Sequence, residues 1–255
     1  MRKIDSYKDF LKINKDWIPF LKDNSNLPGP RGNLELIQAV AQTASIPIIE
    51  TLLAEDNENP AENTPEVFVV VCGIVALGTH YHPDKQVYMI TLKQYANDPR
   101  WRVREGVAMA LQEIGKRDME LLLSEIQSWL DGSFFELRAV AAGCCEPVLL
   151  QQTQSAMIVL DILDHITARM LPGPGSDRDG YATLKKGLSY CWSVAVVHAS
   201  DRGKLLMEKW LKSKDKNIRN IMRENLKKNR LVRMDPKWVE KCLGSGEPGV
   251  SILPG

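Results

Sequence analysis

The sequence predicts an all-α protein built as a right-handed α-α superhelix of stacked helix pairs. Three observations predict it. Apolar residues recur at helical spacing through most of the chain, while alternating apolar/polar stretches are scarce. A motif of an apolar residue, Arg and then small residues returns at a spacing of 34, from Val103-Arg104 to Leu137-Arg138. Amphipathic stretches long enough for a partner helix lie between the copies. A period of about 34–40 residues marks a helical repeat array, in which paired helices bury their apolar faces only by stacking on neighbours.

The elements follow in order. "NLELIQAVAQTAS" (33–45) reads as a helix preceded by a Pro/Gly break, "NLPGPRGN" (26–33). The acidic "EDNENPAENTPE" (55–66) reads as a polar, mobile loop. "PEVFVVVCGIVALG" (65–78) is the copy 34 residues before the central one, with Ala76-Leu77 matching Ala110-Leu111. Candidate first helices of the pairs are 85–97, 118–130, 155–170 and 203–213. In 98–115, Val103, Val107, Ala110, Leu111 and Ile114 fall on one helical stripe. Asp98 before Pro99 is a start signal, because the carboxylate can cap and Pro has no N–H to satisfy. Gly115 is a stop signal. Further copies are "DGSFFELRAVAAGCCEP" (131–147) and "DKNIRNIMRENLKKNRL" (215–231), with a longer repeat around 181–197 between them. "LPGPGSDRDG" (171–180) is a second break, and 244–255 reads as an irregular tail. The whole of 1–255 is expected to form one domain, with repeats over roughly 33–233.

"DPRWRVREGVAMALQEIG" (98–115) resembles the second helix of a HEAT repeat, with its Asp, Val-Arg, small residue, Ala-Leu and Gly. "LRAVAAG" and "NIRNIMRENL" are similar, weaker copies. The resemblance implies an α-solenoid of about five to six repeats. Such folds serve mostly in binding, so it implies no particular reaction. The expectation is therefore a non-enzymatic scaffold, with a concave face of second helices that receives a macromolecular partner, most readily another protein.

Composition bounds the alternatives. With 44% hydrophobic and 25% charged residues, the chain is of ordinary globular type. No apolar run suggests a membrane span, and the charged N-terminus lacks the apolar core of a secretory signal, so a cytoplasmic protein is expected. Five cysteines without a CxxC spacing predict buried thiols rather than a disulfide framework. No GxSxG, HExxH or P-loop is present, and no cofactor is expected.

Three constellations carry possible chemistry. Trp101 and Glu105, four apart on one helix, share a face, and Arg104 and Arg138 lie near them. HEAT-like alkylpurine DNA glycosylases use an aromatic and a carboxylate in this manner, which implies Trp101 against a modified nucleotide and Glu105 supporting base release. "WRVRE" departs from that family's Asp in a Trp-rich run. In the scaffold reading, the Arg after Val instead pairs with its repeat's Asp or a neighbour's, forming a ladder between repeats, and Trp101 caps the turn and packs against an adjacent helix. The second constellation is Arg219, Arg223, Lys227 and Arg230, a cationic stripe on a helix expected over 215–230. Residues 202–241 hold 14 Lys/Arg against five Asp/Glu, a net of +9 in a chain of net +1. Such a region can bind nucleic acid through phosphates, with Trp210 and Trp238 nearby, or be a solvated face. The third, His80, His82 and Asp84, has metal-ligand types but no second cluster, and no metal is expected.

Overall fold

A computed structural model describes residues 3–244. Regular structure among the described residues is helical throughout, without strands. The chain divides into two compact units, Met1–Gly143 and Cys144–Gly255. Residues 1–143 hold 15 Lys/Arg and 20 Asp/Glu, a net of −5; residues 144–255 hold 18 and 12, a net of +6.

The first unit contains α1 (Lys3–Ile13), α2 (Ile18–Asp23), α3 (Leu34–Thr43), α4 (Ile46–Ala54), α5 (Pro65–His80), α6 (Gln86–Ala96), α7 (Trp101–Arg117) and α8 (Met119–Glu125), and α9 (Phe134–Cys144) runs to its end. The α5 sequence is apolar on every side, and a helix of that kind must be surrounded. Residues 67–78 are buried without interruption, and α2, α3, α4, α6 and α7 pack round them. Thr64 starts α5 with a hydroxyl that accepts the Val67 N–H, and Pro65 follows. The predicted α7 stripe is fully buried from Val103 to Ile114. Val69, Val103 and Leu137, each 34 apart, are equally buried, as are Ala76 and Ala110. Gly78 lies so near α7 that an added Cβ would fall 2.1 Å from the Ala110 carbonyl oxygen. Only a glycine permits this backbone contact.

Three expectations for this unit change. α7 begins at Trp101, not at Pro99, because Arg100 is extended (φ −76°, ψ 123°). Its first donors are met by a remote carboxylate: Glu62 accepts from Trp101 N at 2.8 Å and Arg102 N at 3.0 Å. Asp98 instead holds Arg100. Secondly, α7 runs through Gly115 to Arg117. The extra turn brings the Arg117 guanidinium to the Thr79 carbonyl (2.7 Å) and to that of Tyr81, at the C-terminal end of α5. Thirdly, the acidic loop is held. Glu55–Glu58 form a 3-10 turn, Asp56 pairs with Arg100 at 2.7 Å, and Asn63 accepts from Arg102 at 2.8 Å. A loop with five acidic side chains, several of them bound to cations or to helix N–H groups, does not stay loose.

The second unit contains α10 (Thr153–Arg169), α11 (Arg178–Val196), α12 (Ser200–Leu211), α13 (Lys216–Leu226), α14 (Asn229–Met234) and α15 (Pro236–Gly244). Gly173 and Gly175 have positive φ in the break before α11, and Asp177 caps that helix through the Gly180 N–H. The α11–α13 pair is the core. Asn225 on α13 is completely buried, yet its amide is satisfied: Nδ2 donates to the Leu188 and Ile221 carbonyls, and Oδ1 accepts the Ser193 N–H. Three hydrogen bonds offset the cost of burying the amide. Trp192 donates to Thr167 Oγ1, Trp210 to Asp164 and Trp238 to Glu208, so each indole is packed with a partner for its N–H.

The helix expected over 215–230 breaks. Lys228 is extended (φ −76°, ψ 129°), and the chain restarts as α14. The stripe Ile218, Ile221, Met222, Leu226 would next require residues 229 and 230, which are Asn and Arg. Leu231 is out of phase with it, and the break lets Leu231 become fully buried. Of the tail expected at 244–255, Gly244 closes α15 and the rest lies outside the described residues. No described helix is long and apolar enough to cross a membrane.

The Gly78–Ala110 contact gives the first test. Gly78→Ala is expected to lower unfolding free energy by about 2–3 kcal/mol, since backbone rather than a flexible side chain must yield. Gly73→Ala, whose Cβ would meet only Leu52 and Leu53 side chains at 3.0–3.2 Å, should cost less. Urea denaturation of the two variants measures both.

Candidate binding pocket

α7 turns three successive residues of one face, Trp101, Glu105 and Met109, into a pocket of about 220 Å³. The spacing i, i+4, i+8 makes them a row. α3 supplies Leu34 and Ile37, α5 supplies Phe68 and Val71, and the 26–33 break supplies Leu27, Pro30, Arg31 and Gly32. Asn33 fixes this wall. Its Oδ1 accepts the Leu36 N–H to cap α3, and its Nδ2 donates to the Asn24 carbonyl and Tyr7 hydroxyl. Gly32 lies against Phe68, with a notional Cβ at 3.3 Å. The lining is chiefly hydrocarbon, with Arg31, Arg102 and Glu105 as its charged members.

Trp101 is 44% exposed. The Arg102 guanidinium lies 4.5 Å from its ring centroid and donates to the Gly29 carbonyl at 2.6 Å. The tryptophan is thus held by a cation–π contact and by the Glu62 clamp on its own backbone. Glu105 pairs with Arg138 of α9, and Arg138 also donates to the Arg104 carbonyl at 3.2 Å. The structure therefore brings Trp101, Glu105 and Arg138 together.

Arg104 faces elsewhere. It donates to the carbonyls of Asp98 (2.5 Å) and Pro99 (2.7 Å), and stacks 4.6 Å from the Phe135 ring centroid. Burial lowers its pKa, with Arg138 repelling it further. Arg219 does the same in the second unit, donating to the carbonyls of Ser213 and Lys214 at 2.7 and 2.8 Å. The expected pairing of this arginine with a repeat Asp carboxylate does not form. In each arginine a single Nη1, which carries two N–H groups, donates to two carbonyls of the turn before its own helix.

The predicted cationic stripe is divided by the α13–α14 break. Arg219 and Arg223 lie on α13, Lys227 follows it and binds Glu224 at 2.6 Å, and Arg230 lies on α14 against Tyr190. The histidines separate. His80 contacts the Ala44 carbonyl at 2.7 Å and His82 contacts Asp84 at 2.6 Å. No group of His, Cys, Asp and Glu suited to a metal occurs among the described residues. None of the five cysteines forms a disulfide, and all are buried; burial pushes the Cys144 thiol up to about 12. Comparison of the chain with family models, curated proteins and solved structures finds no match.

Sequence reasoning missed Met109, Phe68, Arg102 and Glu62. The first was available as the next step of the Trp101–Glu105 row. Arg102 adjoins Trp101 in the sequence, but its contact with the remote Gly29 carbonyl gives no local signal; Phe68 and Glu62 meet the site from 30 to 40 residues away.

Two measurements follow. Glu62→Ala removes both acceptors at the start of α7 and should cost about 1–2 kcal/mol of stability, with faster proteolysis between 55 and 66. An aromatic disulfide reagent should titrate the buried thiols slowly in the native protein and all five in denaturant.

Proposed function

We propose that this chain is a non-enzymatic, HEAT-like binding scaffold. In this reading its helix pairs form a right-handed superhelical stack, and the Trp101 pocket receives an apolar side chain from a partner protein. The carrying observation is the pocket itself: an apolar hollow of about 220 Å³ at the edge of three packed helices. Small-molecule and cofactor sites usually enclose roughly 300–1,000 Å³. This one holds a single large side chain more comfortably than a cofactor. Trp101 offers rigid aromatic surface of the sort that anchors protein interfaces.

The glycosylase-like alternative needs Glu105 available to a cationic base in a basic cleft. Its carboxylate is bonded to Arg138 and bordered by a hydrocarbon wall, so that reading has less support.

Peptides selected from a displayed library against the whole chain test the proposal. Their affinity should fall about tenfold, or ~1.4 kcal/mol, in Trp101→Ala. It should fall likewise in Met109→Trp, which fills the hollow, and stay unchanged in Lys237→Ala. Peptides indifferent to both pocket changes would remove the pocket from the reading. Release of alkylated bases from DNA, lost in Glu105→Gln, would overturn the non-enzymatic assignment.

A further inference from the structure

Two sets of cations in the second unit differ in their surroundings. Arg202, Lys204, Lys209 and Lys227 are each engaged by a carboxylate: Asp161, Asp235, Asp164 and Glu224, at 2.6–2.8 Å. Lys186, Lys228 and Arg230 have no carboxylate partner among the described residues. Lys228 and Arg230 gather instead around an exposed aromatic, and Lys186 shares its helix face. Tyr190 on α11 is 47% exposed. The Arg230 guanidinium lies 4.7 Å from its ring centroid and donates to its hydroxyl, and the Lys228 ammonium lies 6.0 Å from the centroid. Lys186 precedes Tyr190 by one helical turn and is exposed, so it extends the same face of α11.

This arrangement keeps its charge. A surface arginine bonded to a carboxylate is neutralised, whereas one resting on a tyrosine ring remains a full cation. The guanidinium has five N–H donors. One engages the hydroxyl, and its planar fork still suits a phosphate. The Tyr190 ring stays about half open beside it. A half-open aromatic face between cations that no carboxylate neutralises meets both needs of an unpaired nucleotide: a surface on which a base stacks, and charge for the phosphates on either side. A duplex hides its base faces, and an acidic peptide would use only the charge.

We propose that Tyr190, with Arg230, Lys228 and Lys186, forms a binding surface for single-stranded nucleic acid. The surface is independent of the Trp101 pocket, so either can fail alone.

Fluorescence anisotropy of the whole chain with a labelled oligothymidylate, across a salt series, tests it. Binding in the micromolar range or tighter at low salt (about 25 mM) is expected, weakening steeply as salt rises. Tyr190→Ala should weaken it about tenfold, the order of one lost base stack. Tyr190→Phe keeps the ring and should stay near wild type. Lys228→Glu/Arg230→Glu should abolish binding and flatten the salt dependence. Thermal melting of each variant separates lost binding from lost folding. No binding at low salt overturns the proposal. So does equal affinity of wild type and Tyr190→Ala, which would make the region a bare polyanion surface, or equal displacement by an acidic peptide and an unlabelled oligonucleotide of the same charge.

Discussion

The backbone contact between Gly78 and Ala110 is the constraint on which the first unit depends. α5 is surrounded on all sides, so it cannot rotate to adapt to its neighbours. α7 lies directly against it, and close packing leaves no slack for a sliding helix. The depth of that contact fixes which face of α7 remains outside. That outer face carries Trp101, Glu105 and Met109. The pocket is thus a by-product of how closely two apolar helices approach, and its walls are as rigid as the core behind them.

A second layer of restraint comes from charge. Glu62 holds the first turn of α7, Arg100 gathers Asp56 and Asp98, and Arg102 ties Trp101 to the 26–33 break through the Gly29 carbonyl. Arg102 is buried, and the Arg100 and Asp98 side chains are only 11% exposed. Together they convert a twelve-residue acidic stretch from a solvated connection into the strap that orients the tryptophan. The second unit uses a neutral counterpart. The buried Asn225 amide joins α13 to the α11 carbonyl of Leu188 and amide of Ser193, which sets the register of that pair.

How much of this is legible depends on the range of the interaction. The α7 stripe and the equivalence of Val69, Val103 and Leu137 follow from periodicity alone, because burial on a helix repeats with the turn. Trp101 and Glu105 are legible as neighbours for the same reason. The start of α7 is not, since its cap comes from Glu62, about 40 residues upstream. Nor is the end, since Arg117 extends the helix to reach carbonyls of α5. The break at Lys228 leaves a trace in the sequence: Leu231 is out of phase with the stripe that ends at Leu226. The helices α1, α2 and α15 lie outside residues 33–233, so the repeat period does not reach them. For the motif arginines, residue type was informative but the partner varied: Arg104 and Arg219 close on carbonyls of their own turns, while Arg138 reaches the Glu105 carboxylate of the preceding copy.

The unequal division of charge has a consequence for the protein as a solute. Residues 1–143 and 144–255 carry −5 and +6, nearly cancelling in a chain with a pI of about 7.6. Near neutral pH such a molecule has little monopole repulsion from its own copies, while its oppositely charged parts attract across molecules. Dissolved salt screens that attraction. Moderate salt is therefore expected to raise the chain's solubility near its isoelectric point.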